Sequence, residues 1–192
     1  MKKIPTVFIK EFNGREFIEI KNEFTNDVCK NAFLNGVATV KFDGSACAII
    51  NGELYRRYDA KLDKQGNRKK VPDGAIPCQD KPDPVTGHFP VWIKCERYDP
   101  SCKHYVAAWL NSEIMEDGTY EAVGPHFRGN PHNFEHDTLI KHGSEVLDDV
   151  PRTFEGIQEY LREHVIEGIV FWFNGEPICK VKRSDFKFGW NN

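Results

Sequence analysis

Short apolar runs separated by two-residue polar turns set the rhythm of this chain. Thr6–Lys10 and Arg15–Ile20 read as strands on either side of Asn13-Gly14. Gly36–Phe42 reads as another, and Ser45–Ile50 and Glu53–Tyr58 flank Asn51-Gly52. Asn-Gly between apolar runs marks a hairpin because both residues tolerate positive φ. Pro90–Lys94, Gly118–Gly124 and Thr138–Lys141 continue the series of strands. Two stretches stay open: Phe24–Leu34 has room for a short helix, and the period of His104–Leu110 suits helix or strand equally. Thr153 is placed to cap a helix running to about His164, with Phe154, Ile157 and Leu161 on one face. Ile166–Phe173 and Glu176–Arg183 close the pattern as a hairpin around Asn174-Gly175. A two-residue loop fixes a register in which Phe173 faces Glu176, Ile169 faces Lys180 and Glu167 faces Lys182. Cross-strand partners share a face, roughly 5 Å apart, so Glu167, Lys180 and Lys182 are expected beside Ile169 and Phe171. Pro177, opposite Trp172, suits an edge strand.

Many strands and few helices make the expected class α+β, with mostly antiparallel sheets. The 192 residues suffice for one domain with a real core. Fourteen Phe and four Trp favour strands over a helical bundle. A net charge of −3 excludes a generic polyanion binder, so any nucleic-acid surface must be a local patch. The apolar run at the N-terminus ends at Ile9, too short for a signal peptide, and Ile169–Phe173 is too short to span a bilayer. No membrane association is expected, and the cytoplasm is the expected location. The six cysteines form no CxxC pair, and reduced thiols are the default there. Cys95, Cys102 and His104 match no zinc spacing, and His126, His132 and His136 read as solvent-facing. Nothing in the pattern specifies an oligomeric state.

Between Ala60 and Pro90 the periodicity stops. Within Arg56–Lys70, Arg56, Arg57, Lys61, Lys64, Arg68, Lys69 and Lys70 stand against only Asp59 and Asp63, which reads either as a solvated loop or as a basic flap for phosphates.

The chemistry is concentrated at Val40-Lys41-Phe42-Asp43-Gly44. A strand ending at Lys-x-Asp-Gly offers one amine at a fixed place, and an amine is nucleophilic only when neutral. By itself this is equally a strand-end lysine beside an ordinary hairpin turn. Three further stretches follow in order: Tyr120-Glu121-Ala122-Val123-Gly124, Glu167-Gly168-Ile169-Val170 and Lys180-Val181-Lys182.

Together the four resemble the motif series of the covalent nucleotidyltransferases, the polynucleotide ligases and mRNA capping enzymes. The nearest likeness is to a small single-domain ATP-dependent 5′–3′ RNA ligase family of animals, bacteria and viruses. It extends to Tyr55-Arg56-Arg57-Tyr58-Asp59, Gly87–Trp92, Gly129-Asn130-Pro131 and Phe188-Gly189-Trp190. The resemblance implies a ligase adenylation fold with a nucleotide cleft and a lysyl-AMP intermediate on Lys41. It implies that Val40, Asp43, Gly44, Arg57, Glu121, Glu167, Lys180 and Lys182 bind the nucleotide. Among these, Glu121 would take the ribose hydroxyls, Arg57 a phosphate, and Glu167 the lysine or a metal-bound water. ATP and Mg²⁺ are the implied cofactors, and RNA with 5′-phosphate and 3′-hydroxyl ends the implied substrate. A GTP-using enzyme that caps or tags RNA ends, and a non-catalytic nucleotide- or RNA-binding module, are the alternatives. Related DNA ligases and capping enzymes carry an arginine after Lys-x-Asp-Gly, where Ser45, Ala46 and Cys47 stand here. They also carry an OB-fold domain, which is not expected in this chain because it ends nine residues after Arg183. An adenine-stacking aromatic would be sought on Thr138–Lys141, which offers Leu139 and Ile140. Counting along the strand from Asn51-Gly52 favours Arg56 for the lysine's face, whereas the Arg-x-Asp likeness favours Arg57.

Overall fold

The computed structural model describes residues 3–14, 16–60, 71–83 and 87–190. Lys61, Lys64, Arg68, Lys69 and Lys70 of the basic stretch lie outside the described residues. The fold is α+β, with antiparallel sheets and, among the described residues, three α-helices. The chain forms two compact units: Ile4–Asp43 with Gly143–Asn192, and Met1–Lys3 with Gly44–His142.

In the first unit, β1 (Phe8–Asn13) and β2 (Glu16–Phe24) form a hairpin, followed by α1 (Asp27–Asn35) and β3 (Val37–Lys41). Asn26 starts α1 by accepting the Cys29 N–H at 2.8 Å, which resolves the open Phe24–Leu34 stretch as helix. In the second unit come β4 (Ser45–Ile50), β5 (Glu53–Asp59), β6 (Ile76–Pro77), β7 (Pro90–Lys94), α2 (Lys103–Ser112), β8 (Gly118–Val123) and β9 (Thr138–Lys141). The chain then returns to the first unit for α3 (Phe154–Glu163), β10 (Gly168–Phe173) and β11 (Glu176–Lys182).

The first unit is built on a three-stranded sheet in the order β11-β10-β3. Ile169, Phe171, Cys179 and Val181 are fully buried on one face of it, against Cys29, Ala32 and Phe33 of α1 and Ile157 and Leu161 of α3. Thr153 caps α3 as expected, accepting the Gly156 N–H at 3.1 Å. The outer side of β11 is not bare, because Pro5–Val7 hydrogen-bonds to Lys180 through both backbone groups. Pro177 sits opposite Trp172.

The register of the closing hairpin differs from the one expected. Phe173 faces Glu176 and Trp172 faces Pro177, but Phe171 then faces Cys179, Val170 faces Lys180 and Gly168 faces Lys182. Ile178 is an extra residue, a β-bulge. The reason is packing. Without the bulge Lys180 would share the face of Ile169, which is sealed in the core. With it, Cys179 and Val181 join that core and the two lysines turn to the other face. Lys180 and Lys182 therefore do not lie beside Ile169 and Phe171.

The second unit carries a six-stranded sheet in the order β6-β7-β5-β4-β8-β9. α2 resolves the ambiguous His104–Leu110 stretch as helix. Its Ala108 joins Cys47, Ile49, Leu54, Tyr120, Ala122 and Leu139 in a second core on one face of the sheet. The β4–β5 turn has φ of 52° at Asn51 and 71° at Gly52, as Asn-Gly predicts. Asp43-Gly44, by contrast, is not a hairpin turn: β3 and β4 belong to different sheets, and this dipeptide is the passage between them.

Candidate active site

Lys41 ends β3, and the residue opposite it on β10 is Gly168. Gly168 also faces Lys182 on the other flank. The two lysines thus stand on one face of the sheet with a glycine between them. A Cβ on Gly168 would lie 2.1 Å from the Val181 carbonyl oxygen, so the strands approach too closely there for any side chain. Glu167, one residue before β10, supplies the countercharge. One of its carboxylate oxygens pairs with Lys41 Nζ, and the other accepts from Lys182 Nζ at 2.8 Å. Glu167 precedes the regular strand, so strand alternation does not govern its side chain. Its carbonyl accepts the Arg183 N–H at 3.0 Å. The buried Arg183 guanidinium is itself fixed by carbonyls at the end of α3, including His164 at 3.0 Å, and by Gly189 at 2.8 Å.

Burial works to raise the Glu167 carboxyl, but the charges of Lys41 and Lys182 and their hydrogen bonds outweigh it, so the group is held below its ordinary value. Burial likewise disfavours the charge on Lys182. The Glu167 carboxylate overcomes that, helped by Asp185 and Asp43, and the amine lies above its ordinary value. Asp185 also accepts the Lys182 backbone N–H at 2.9 Å and pairs with Lys10 at 2.5 Å. Lys180 is on the face of Lys41 and Lys182, one pleat along, opposite Val170. Val40 turns its side chain to the other face, opposite Ile169, and its N–H bonds the Glu145 carbonyl at 2.9 Å.

The other candidate residues belong to the second unit. Glu121 on β8 faces Ala46 and Ile140, on the side of the sheet away from α2. Its carboxylate is 3.0 Å from His142 Nε2, and His142 Nδ1 is 3.0 Å from Thr119 Oγ1. Arg57 faces Trp92 and shares Glu121's side, whereas Arg56 faces Cys47 on the α2 side. That alternation separates the two arginines. Arg57 pairs with Asp59 at 3.4 Å while its buried Nε has no hydrogen-bond partner among the described residues. Of the two residues considered for the adenine, Leu139 is buried in the core and Ile140 shares Glu121's side. Gly44 packs on β8: a Cβ would meet the Ala122 carbonyl at 2.3 Å and Glu121 Cγ at 2.9 Å.

An anchored carboxylate bridging two amines is a binding place for phosphates and a setting for amine chemistry. The chain is similar along almost all its length to RNA ligase 1 of Rattus norvegicus, with 25% identity over 270 residues, 98% of this chain and 82% of the relative. RNA ligase 1 of Mus musculus is similar to the same degree, 25% over 266 residues, 98% of this chain and 81% of the relative. These likenesses point to an RNA ligase family. The aligned span exceeds the 192 residues of this chain, so the relatives carry inserted segments. No family model matches the chain.

Sequence reasoning missed four contributors. Gly168 lies in a recognised stretch and Arg183 at the end of an expected strand, neither with a role, and His142 reads along the chain equally as a substrate contact or as a strand end. Asp185 had no signal at all, because its part depends on the turn that follows β11.

Proposed function

We propose that the chain is an ATP-dependent RNA ligase that joins 5′-phosphate and 3′-hydroxyl ends through lysyl-AMP on Lys41. The observation that carries this reading is the single carboxylate of Glu167 held between Lys41 and Lys182. A protonated amine cannot attack phosphorus, and Glu167 is the base in contact with Lys41 that can take its proton. The neutral Lys41 Nζ then forms a bond to the α-phosphorus of ATP, the bond to pyrophosphate breaks, and the second proton of the amine, lost as the N–P bond forms, passes to solvent after the first has left through Glu167. In the second step a 5′-phosphate oxygen of RNA bonds to that phosphorus, the N–P bond breaks and Lys41 regains a proton. In the third, a 3′-hydroxyl attacks the activated 5′-phosphate and AMP departs. Lys182, with Lys180 beside it, offsets charge on the phosphates, which is most of what phosphoryl transfer asks of a protein.

Glu121 takes the ribose hydroxyls in this reading, with His142 orienting it, and Arg57 takes a phosphate. Asp43 and Gly44 complete the nucleotide set, Val40 through its backbone. Both oxygens of Glu167 are committed to lysines, so the donor set fits a magnesium ion reached through water rather than a direct carboxylate ligand. When bound, the ion neutralises phosphate oxygens.

Mass spectrometry after incubation with ATP or GTP tests the proposal. An AMP adduct on the wild-type protein that is absent in Lys41→Ala is expected. A GMP adduct alone would replace it with the capping or tagging reading. No adduct with either nucleotide would leave a binding module. Lys182→Ala should lose the adduct while largely keeping AMP binding.

A further inference from the structure

The second unit holds a cluster that ligation does not use. Asp137, immediately before β9, is a buried carboxylate whose side chain is only 5% exposed. Its Oδ1 accepts the His126 backbone N–H at 3.1 Å. Its Oδ2 lies 2.8 Å from His126 Nδ1 and 3.7 Å from His104 Nδ1. The two imidazoles are stacked, with centroids 3.9 Å apart and planes 17° from parallel. His104 comes from the first turn of α2, and His126 from the tight turn closed by the Phe127 N–H to the Gly124 carbonyl at 3.0 Å. Gly124 is there for space. It has φ of 130°, and a Cβ would come 2.7 Å from Asp137 Oδ1.

A buried carboxylate needs a countercharge, and two stacked imidazoles cannot both carry a proton without repelling each other. One dipositive ion answers both demands once the imidazoles, stacked without it, turn so that both ring planes meet at the ion, because the nitrogen lone pairs lie in those planes. We infer that His104, His126 and Asp137 form a binding site for a divalent transition metal of the zinc class. One ligand atom from each residue lies within 4.8 Å of the others. Two ligands of a tetrahedral zinc ion, each about 2.0–2.1 Å from it, stand about 3.4 Å apart, between the two distances from Oδ2. Two imidazoles and one carboxylate suit zinc, nickel or cobalt and not magnesium, which takes an all-oxygen shell. The ion ties the start of α2 to both ends of the 124–137 loop, so its role is to hold the loop in place. With His104 half-buried and His126 exposed, the remaining positions fall to water.

The test uses full-length, tag-free protein stripped of metal. Calorimetry with zinc chloride should show one saturable site per chain, and saturating zinc should raise the melting temperature by roughly 5 °C. His104→Ala, at a half-buried position, and His126→Ala, at an exposed one, should each weaken binding by at least about 10-fold, while His132→Ala leaves it unchanged. Cobalt should give weak visible bands without a sulfur charge-transfer band. Absence of a saturable site would overturn the inference. So would undiminished binding in both alanine variants, or a cobalt–sulfur band, which would move the metal to Cys95 and Cys102. None of these outcomes depends on adenylation.

Discussion

Glu167 has two partners and one charge. Its removal therefore leaves two amines facing each other across Gly168, rather than one lost pair. Glu167→Gln is expected to cost about 1–3 kcal/mol of stability at neutral pH, read from urea midpoints. The acid limb checks the cause. The folded state holds this carboxyl below its ordinary value of 4.5, so its contribution is complete above about pH 4.5 and is lost as pH falls through the lower folded value. Wild type should lose stability as pH falls below about 4.5, and the glutamine variant should lose less. Lys182, raised above 10.5, has the opposite sign: its contribution is complete below that value and fades as pH rises through the folded one. In the proposed ligase, His142 acts through Glu121, 3.0 Å from its Nε2. His142→Ala should raise the KM for ATP roughly 3–10-fold with a smaller change in kcat, whereas a purely structural role would lower the amount of folded enzyme and leave KM alone.

At the scale of elements, the strands and their turns were legible because Asn-Gly and short apolar runs are local signals. The register of the last hairpin was not. β10 reads Gly-Ile-Val-Phe-Trp-Phe, apolar on both faces because it is the middle strand of three, so it gives a partner no reason to prefer one register. The turn alone favoured the regular pairing, and the burial of Cys179 and Val181 overrode it through Ile178. Deleting Ile178 should remove the bulge while keeping Cys179 opposite Phe171 and Lys180 opposite Val170, so the variant should still unfold cooperatively in thermal melts, whereas an alanine inserted after Ile178 should turn the lysines toward the core and abolish the cooperative transition. Gly168→Ala tests the close approach of the strands. Its added methyl meets a carbonyl, and a loss of about 1–3 kcal/mol is expected from chemical denaturation. Neither the His104–His126–Asp137 cluster nor Asp185 could be read along the chain, because each depends on contacts between elements that no spacing records.

For the molecule as a whole, all six cysteines are free, and Cys29, Cys47, Cys102 and Cys179 are buried. Burial lifts the thiols of Cys29, Cys47 and Cys179 above their ordinary value. Dithiothreitol should leave the melting temperature unchanged, and alkylation of the native protein should be slow at these positions. Among the described residues no helix is long and apolar enough to cross a membrane. The order of the two units along the chain has a consequence for synthesis. The Gly44–His142 stretch leaves the ribosome as one piece, but β3 must wait for β10, more than a hundred residues later, to find its neighbour. A polypeptide stalled before that point carries Lys41 with neither Glu167 nor Lys182 yet made, and under the proposed mechanism it has no means to charge itself.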